Sequence, residues 1–288
     1  MPAPVLLCAD DYALAPGVSR AIEELAERGR LSATSALVTT PHWAEHGKNV
    51  ATLRAHIAVG LHIDLTLGPA LGASASLAPD GRLPKIGDLI RRSLAGAVKP
   101  DDVRAEVLRQ IDRFVQVAGR TPDFIDGHQH AHALPGVRLG VLAALSEAFP
   151  RGGILVRDPS DRAARILARK AAVAKSLVIA SLSSGFGAAA RAQGFVTNDG
   201  FSGVSPFART TPFANELDRF FASPGPRHLV MCHPGHVDDA LRAVDPVVER
   251  RRDEFDALAT MAGLPERLWR PASAGGLGWG DTVEVAAA

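Results

Sequence analysis

The run Asp-Gly-His-Gln-His-Ala-His at 126–132 places a carboxylate and three imidazoles on alternate positions of a chain that has ten histidines in all. Alternation is the side-chain period of a strand, so Asp126, His128, His130 and His132 would share one face while the strand stays regular. Burying such a row is expensive unless it serves a purpose. A metal ion, a proton relay or both would supply one.

Further polar groups follow other short apolar runs. Asp10 and Asp11 follow the first, His62 and Asp64 share a face in another, Arg157 and Asp158 end a third, and His233 ends the last. In parallel α/β architectures the C-terminal strand ends are where active sites are built, so these clusters point to one shared site. Two imidazoles and one carboxylate leave coordination positions open for water and substrate, as a catalytic metal requires. A second carboxylate nearby can take a proton from metal-bound water, and the Asp10–Asp11 pair supplies one acid for each task. His233, arriving from the opposite side, would suit protonation of a leaving group. The plainer alternative for the acid pair is capping of the helix that follows. His130 and His132 read as rim or supporting residues, because one site cannot use every imidazole in the row. His42, His46, His56 and His228 have no motif around them and read as surface or structural, and His236 has no assigned role.

The elements that must position these groups are short buried strands alternating with helices. The strands are expected at 5–9, 33–39, 57–65, 123–129, 153–158, 194–198 and 227–233. A helix following Asp11 carries Ile22, Leu25 and Ala26, with Gly29 as its C-terminal stop. A longer one begins at Asp101 or Asp102, with Val103, Val107, Leu108, Ile111, Phe114 and Val115 on one stripe. A third starts at Asp245 as cap with Pro246 in the first turn, and its stripe is Val247, Val248, Arg251, Phe255 and Leu258. This alternation predicts an α/β fold with a mainly parallel sheet, and about seven units in one chain fit a barrel better than an open sheet. No repeat or long linker divides the chain, so one domain is expected over 1–288. Residues 68–87, rich in Gly, Pro, Ser and Ala, read as a long loop, either a lid or a surface excursion. Residues 161–193 read as Ala-rich, basic helices, facing outward or making a subunit contact such as a homodimer, with a lipid-facing surface as the sharper alternative.

Bulk properties narrow the class. Thirty-two basic residues against 31 acidic ones give a net charge of +1, without the basic excess of a nucleic-acid binder. Two distant cysteines, Cys8 and Cys232, make no disulfide framework and suit buried strand positions in a reducing compartment. The N-terminus lacks the basic region and longer apolar core of a secretory signal, and no run reaches the roughly 18 apolar residues of a membrane span. A soluble, cytoplasmic protein is expected.

The motifs ADDYALAPGVSRAI, GLHIDLT, DGHQHAH and CHPG, in this order and from Asp10 to about Phe255, resemble the YdjC-like carbohydrate deacetylase family, which includes chitooligosaccharide and hopanoid-biosynthesis-associated deacetylases. The resemblance implies a distorted (β/α) barrel and metal-dependent removal of an acetyl group from an N-acetylated sugar. By position it implies Asp11, His62 and His128 as holders of one divalent ion (zinc or magnesium), Asp10 as general base, His233 as general acid and Arg157 as a cation orienting Asp10. The donor set leans to zinc. The family usually has Phe-Gly after the acid pair, where this chain has Tyr12 and Ala13, and Ala13 would be strained wherever a positive φ is required. A chain with 5% aromatic residues favours a short substrate, a small oligosaccharide or a glycolipid head group. Hydrolysis of another amide or an ester, oxygenase chemistry on the same ligand set, and a non-catalytic sugar-binding protein on this scaffold are the competing readings.

Overall fold

Side-chain parity along the strands determines what this fold can build. A computed structural model describes residues 4–207, 211–245 and 247–270. Its seven strands are β1 (Leu6–Tyr12), β2 (Ala33–Ala36), β3 (Ala58–Ile63), β4 (Phe124–Gly127), β5 (Leu155–Val156), β6 (Gly200–Ser202) and β7 (His228–Cys232). All pair in parallel, in the order β5-β4-β3-β2-β1-β7-β6. The fold is α/β, with the sheet curled into a half-barrel as a distorted barrel requires. Leu6, Cys8, Ala33, Ala58, Phe124, Leu155, Leu229 and Met231 form one buried cluster, the floor of the barrel interior. Alternate residues, including Leu7, Ala9, Val59, Leu61, Ile125, Val156 and Val230, join the larger core between sheet and helices. Strands buried on both faces read as continuous apolar runs, which is how they appear in the sequence.

The strand expected at 194–198 is not one. Only Val196 bridges to Leu155 there, and the sixth strand, β6, is Gly200–Ser202, two residues on. The reason lies in the seam of the barrel. The chain passes from the outer edge of β5 to the outer edge of β7, and Asn198 takes over the pairing between them. Its Oδ1 accepts from Asp158 N (2.7 Å), while its Nδ2 donates to Asp158 O (2.7 Å) and Gly200 O (3.0 Å). The other observed strands lie within the expected spans and are shorter, except β1, which runs on to Tyr12 past the expected 5–9.

Gly29 terminates the first helix, Pro16–Glu27, with φ 64°. The long helix starts earlier than expected, at Pro100, with Asp101 and Asp102 inside its first turn, and runs to Ala118. The last long helix is Val248–Thr260. Asp245 is not its cap; it accepts instead from Val247 N and from Arg251. Pro246 lies outside the described residues. The 68–87 loop is fastened down rather than free to swing. Leu77, Ala78 and Leu83 are buried, Pro69 bridges Arg82, and Leu71 N donates to Glu106. Segment 161–193 forms outward helices at Ala163–Arg169, Val173–Leu182 and Phe186–Ala192. Among the described residues one stretch, 173–192, has the length and apolarity of a membrane crossing. A left-handed Gly185 breaks it into two short helices. Cys8 and Cys232 are free and buried in β1 and β7.

Candidate metal centre and active site

Following the interior parity upward from the apolar floor leads directly to the polar groups. Leu6 and Cys8 lead to Asp10, Ala58 and Gly60 to His62, Phe124 to Asp126, Leu155 to Arg157, and Leu229 and Met231 to His233. Asp11 breaks the parity, since in a regular strand it would face the helices. The β1–β2 register shifts between Ala9 and Tyr12, and Asp11 has φ 71°. Such a bulge re-aims a side chain, and Asp tolerates the left-handed region better than most residues. Both carboxylates therefore serve one site. Ala13 also has φ 67°, so the strain expected at the position where the family has Gly is present.

The four-residue row does not survive as a strand face. Strand β4 ends at Gly127, and 128–133 wind into a short 3₁₀ segment with Gln129 and His130 left-handed, φ 53° and 59°. Each imidazole consequently goes elsewhere. His128 turns to Asp11, Nδ1 lying 3.0 Å from its Oδ1. The His130 ring lines the pocket, edge-on to Phe201. His132 is buried beneath it, where Nε2 donates to Arg157 O at 2.8 Å, and burial pushes it down to about 4, so it stays neutral.

Asp11, His62 and His128 offer donor atoms within 4.8 Å of one another. His62 Nε2 is 3.4 Å from Asp11 Oδ1, while its Nδ1 lies 2.6 Å from Asp126 Oδ1 and 3.0 Å from Ser35 Oγ. A carboxylate on the far nitrogen of an imidazole orients ligating histidines generally. Asp11 is oriented likewise, with Oδ2 accepting from Arg251 Nη2 at 2.6 Å. Two imidazoles and a carboxylate, converging and braced from behind, fit a divalent cation. Burial opposes a charged His62, yet Asp126 and Asp10 outweigh it and raise its pKa to about 10, so a metal would compete there with a proton.

Asp10 sits beside this triad in a fork. Arg157 donates to both its oxygens at 2.6 Å and reaches Asp126 at 2.5 Å. Burial alone would raise Asp10, but the guanidinium outweighs it and keeps the carboxyl well below the usual range. It is thus held as an acceptor. Cys8, Asp10 and Asp126 form a second cluster of metal-ligating types, but Arg157 already supplies the cation among these acids. His233 faces the same cavity. Burial lowers it to about 4 against the pull of Asp11 and Asp10, so the resting ring is an uncharged imidazole. Its backbone N donates to Glu254, whose carboxyl burial raises to about 7.

Sequence reasoning gave no role to Ser35, Arg251 or Glu254, and placed Asp126 only as the carboxylate heading the row of imidazoles. Arg251 left a signal too, as a cation inside an otherwise apolar helical stripe. The cavity above the triad has a volume of about 500 Å³, and beyond the polar end its walls are largely aliphatic.

The chain is 30% identical to a chitooligosaccharide deacetylase of Klebsiella pneumoniae over 264 residues, 90% of this chain and 92% of that protein. It is 28% identical to the one from Proteus mirabilis, covering 92% and 93%. A solved structure described as a cellobiose-phosphate cleavage protein from Enterococcus faecalis V583 shares the fold, with TM-score 0.69, 23% identity, and 94% and 98% of the two chains covered. Residues 4–262 match the YdjC-like protein family. The chain therefore belongs to that family.

Proposed function

We propose that the protein is a metal-dependent hydrolase that removes the acetyl group from an N-acetylated amino sugar. The observation that carries this reading is the convergence of Asp11, His62 and His128 beside an Arg157-held Asp10, with His233 facing the same cavity. Deacetylase activity in relatives aligned over nine-tenths of the chain supports it. One divalent ion, with zinc favoured over magnesium by the two imidazoles, would lower the pKa of its water and polarise the acetamide carbonyl. Asp11, His62 and His128 would hold that ion, with Asp126 and Arg251 keeping two of these ligands aimed.

Asp10, fixed by Arg157 in its ionised form, accepts the water proton. His233 is neutral at rest and becomes a proton donor only as negative charge grows on the substrate, which raises its affinity for a proton. It takes that proton from solvent and delivers it to the departing sugar amine, while Asp10 releases the water proton to solvent as acetate leaves, so both groups end the cycle as they began it. The fork on Asp10 also prevents the carboxylate from rotating into the ligand position of Asp11.

The test is acetate release from N-acetylated sugars by metal-stripped protein reloaded with zinc, magnesium, manganese or cobalt, with metal content measured alongside. Asp10→Asn retains the metal and loses on the order of 10²–10⁴-fold in turnover, and His128→Ala loses both. Near-normal turnover in Asp10→Asn removes Asp10 from the base role. Failure to take up stoichiometric metal under any loading sinks the whole reading.

A further inference from the structure

The three imidazoles of the 128–132 row differ in their commitments. His128 turns to Asp11, and His132 donates to the Arg157 carbonyl. Between them, His130 lines the cavity, yet its Nδ1 is buried and has no hydrogen-bond partner among the described residues. A buried polar atom left unpaired costs stability, and each such atom in a native fold calls for an explanation. The backbone adds to that cost, since His130 is held left-handed at φ 59°.

The ring is also fixed in place. It stands edge-on to Phe201 with centroids 5.3 Å apart, and the Arg157 guanidinium lies 5.8 Å from the centroid of the same Phe201 ring. Arg157 in turn holds Asp10 through two hydrogen bonds of 2.6 Å. His130 is therefore anchored on one side to the turn that carries His128 and on the other to the layer that holds the base. An uncommitted imidazole at that place meets whatever part of the sugar adjoins the acetamide.

We infer that His130 hydrogen-bonds the 3-hydroxyl of the sugar, on the ring carbon beside the one bearing the acetamide, and so sets which N-acetylated sugars are accepted. A hydroxyl both donates and accepts, so it satisfies an imidazole nitrogen in either tautomer. The acetamide is already engaged, its carbonyl at the triad and its nitrogen at His233. The other neighbouring carbon carries the rest of the substrate in a glycoside, which leaves the 3-hydroxyl. The inference rests on the deacetylase reading for the position of the acetamide, and on the unpaired imidazole for the hydroxyl.

The experiment compares the methyl glycoside of N-acetylglucosamine with its 3-deoxy, 4-deoxy and 6-deoxy analogues. Acetate release and calorimetric binding to the metal-loaded protein are both measured. Loss of the 3-hydroxyl lowers kcat/KM and affinity at least about fivefold, and more than loss of either other hydroxyl. In His130→Phe, which keeps a ring against Phe201 without ring nitrogens, this discrimination falls toward one. His130→Gly, at ease in the left-handed backbone, gives the same loss should the larger ring strain the turn. The glycine variant takes up metal like the parent and unfolds within about 4 °C of it, because no hydrogen bond to the His130 ring is removed.

A parent that does not discriminate at the 3-hydroxyl overturns the proposal, as does discrimination that survives in both variants. Loss of metal uptake in both variants makes His130 a support for His128 and overturns it too. Binding that discriminates at the 3-hydroxyl, lost in the variants, upholds the contact even where no acetate is released, and the deacetylase reading then fails alone. Binding of none of the four glycosides overturns the contact.

Discussion

Arg251 stands in the apolar stripe of its helix, yet its guanidinium ends on Asp11 and Asp245, and the side chain is buried. Burial works against the charge, but the two carboxylates outweigh it and raise its pKa further. This charge keeps Asp11 ionised and fixes its Oδ2, leaving Oδ1 for the imidazoles. Arg251→Met preserves the aliphatic stem and removes only the fork. Its expected effect is a 10–100-fold loss of metal affinity, read by competition with a chelator. Unchanged affinity would mean that Arg251 serves Asp245 alone. Arg157 belongs to the same class, since removing it would leave Asp10 and Asp126 as adjacent buried carboxylates, at a cost of about 3–5 kcal/mol.

At the scale of elements, the site depends on where β4 stops. Gly127 is the last residue of the strand, and a Cβ placed on it would lie 2.6 Å from His132 Nδ1. The missing side chain lets the chain fold back so that His128 points inward while His132 passes underneath to Arg157 O. Gly127→Ala is expected to destabilise by about 1–3 kcal/mol and to lower turnover, because His132 and the Arg157 backbone move together. Thermal denaturation and acetate release measure the two effects. A variant as stable and active as the parent would show that the turn yields without disturbing the site. The bulge at Asp11 is the counterpart in β1, and Ala13 carries its strain without glycine's freedom.

Over the whole molecule, titration of buried groups sets the pH range of the fold. Glu254 has a folded pKa of about 7 against an ordinary 4.5, so the folded state holds its proton more tightly than the unfolded chain. Its contribution is full below pH 4.5 and is lost as pH rises through about 7, by an amount on the order of 3 kcal/mol. Glu254→Gln keeps an acceptor for His233 N and cannot ionise. The fall in stability between pH 5 and 8.5, from denaturant titrations, should be smaller in the variant by that order. Equal slopes would place the titration elsewhere. On the acid side the sign reverses. His132, His228 and His233, depressed to about 4, 3 and 4, contribute stability that is complete above about 6.5 and lost as pH falls through those values.

The residues Asp10, Asp11, His62, His128, Arg157 and His233 were legible as a group because each ends an apolar strand, and a parallel sheet gathers its strand ends on one side. The α/β class and a count of seven strands were legible for the same reason, since alternation of apolar runs with amphipathic helices is a local property of the chain. The divergence of His128, His130 and His132 was not, because the left-handed turn at Gln129 and His130 breaks an alternation that the sequence preserves. Nor was the seam, where the Asn198 side chain takes the place of strand pairing, or the bracing of Asp11 by a residue 240 positions away. These depend on which atoms the closed fold brings within hydrogen-bond distance, and strand periodicity carries no record of that. The aliphatic cavity likewise exists only between helices far apart in sequence, each of which alone reads as an ordinary amphipathic or alanine-rich segment.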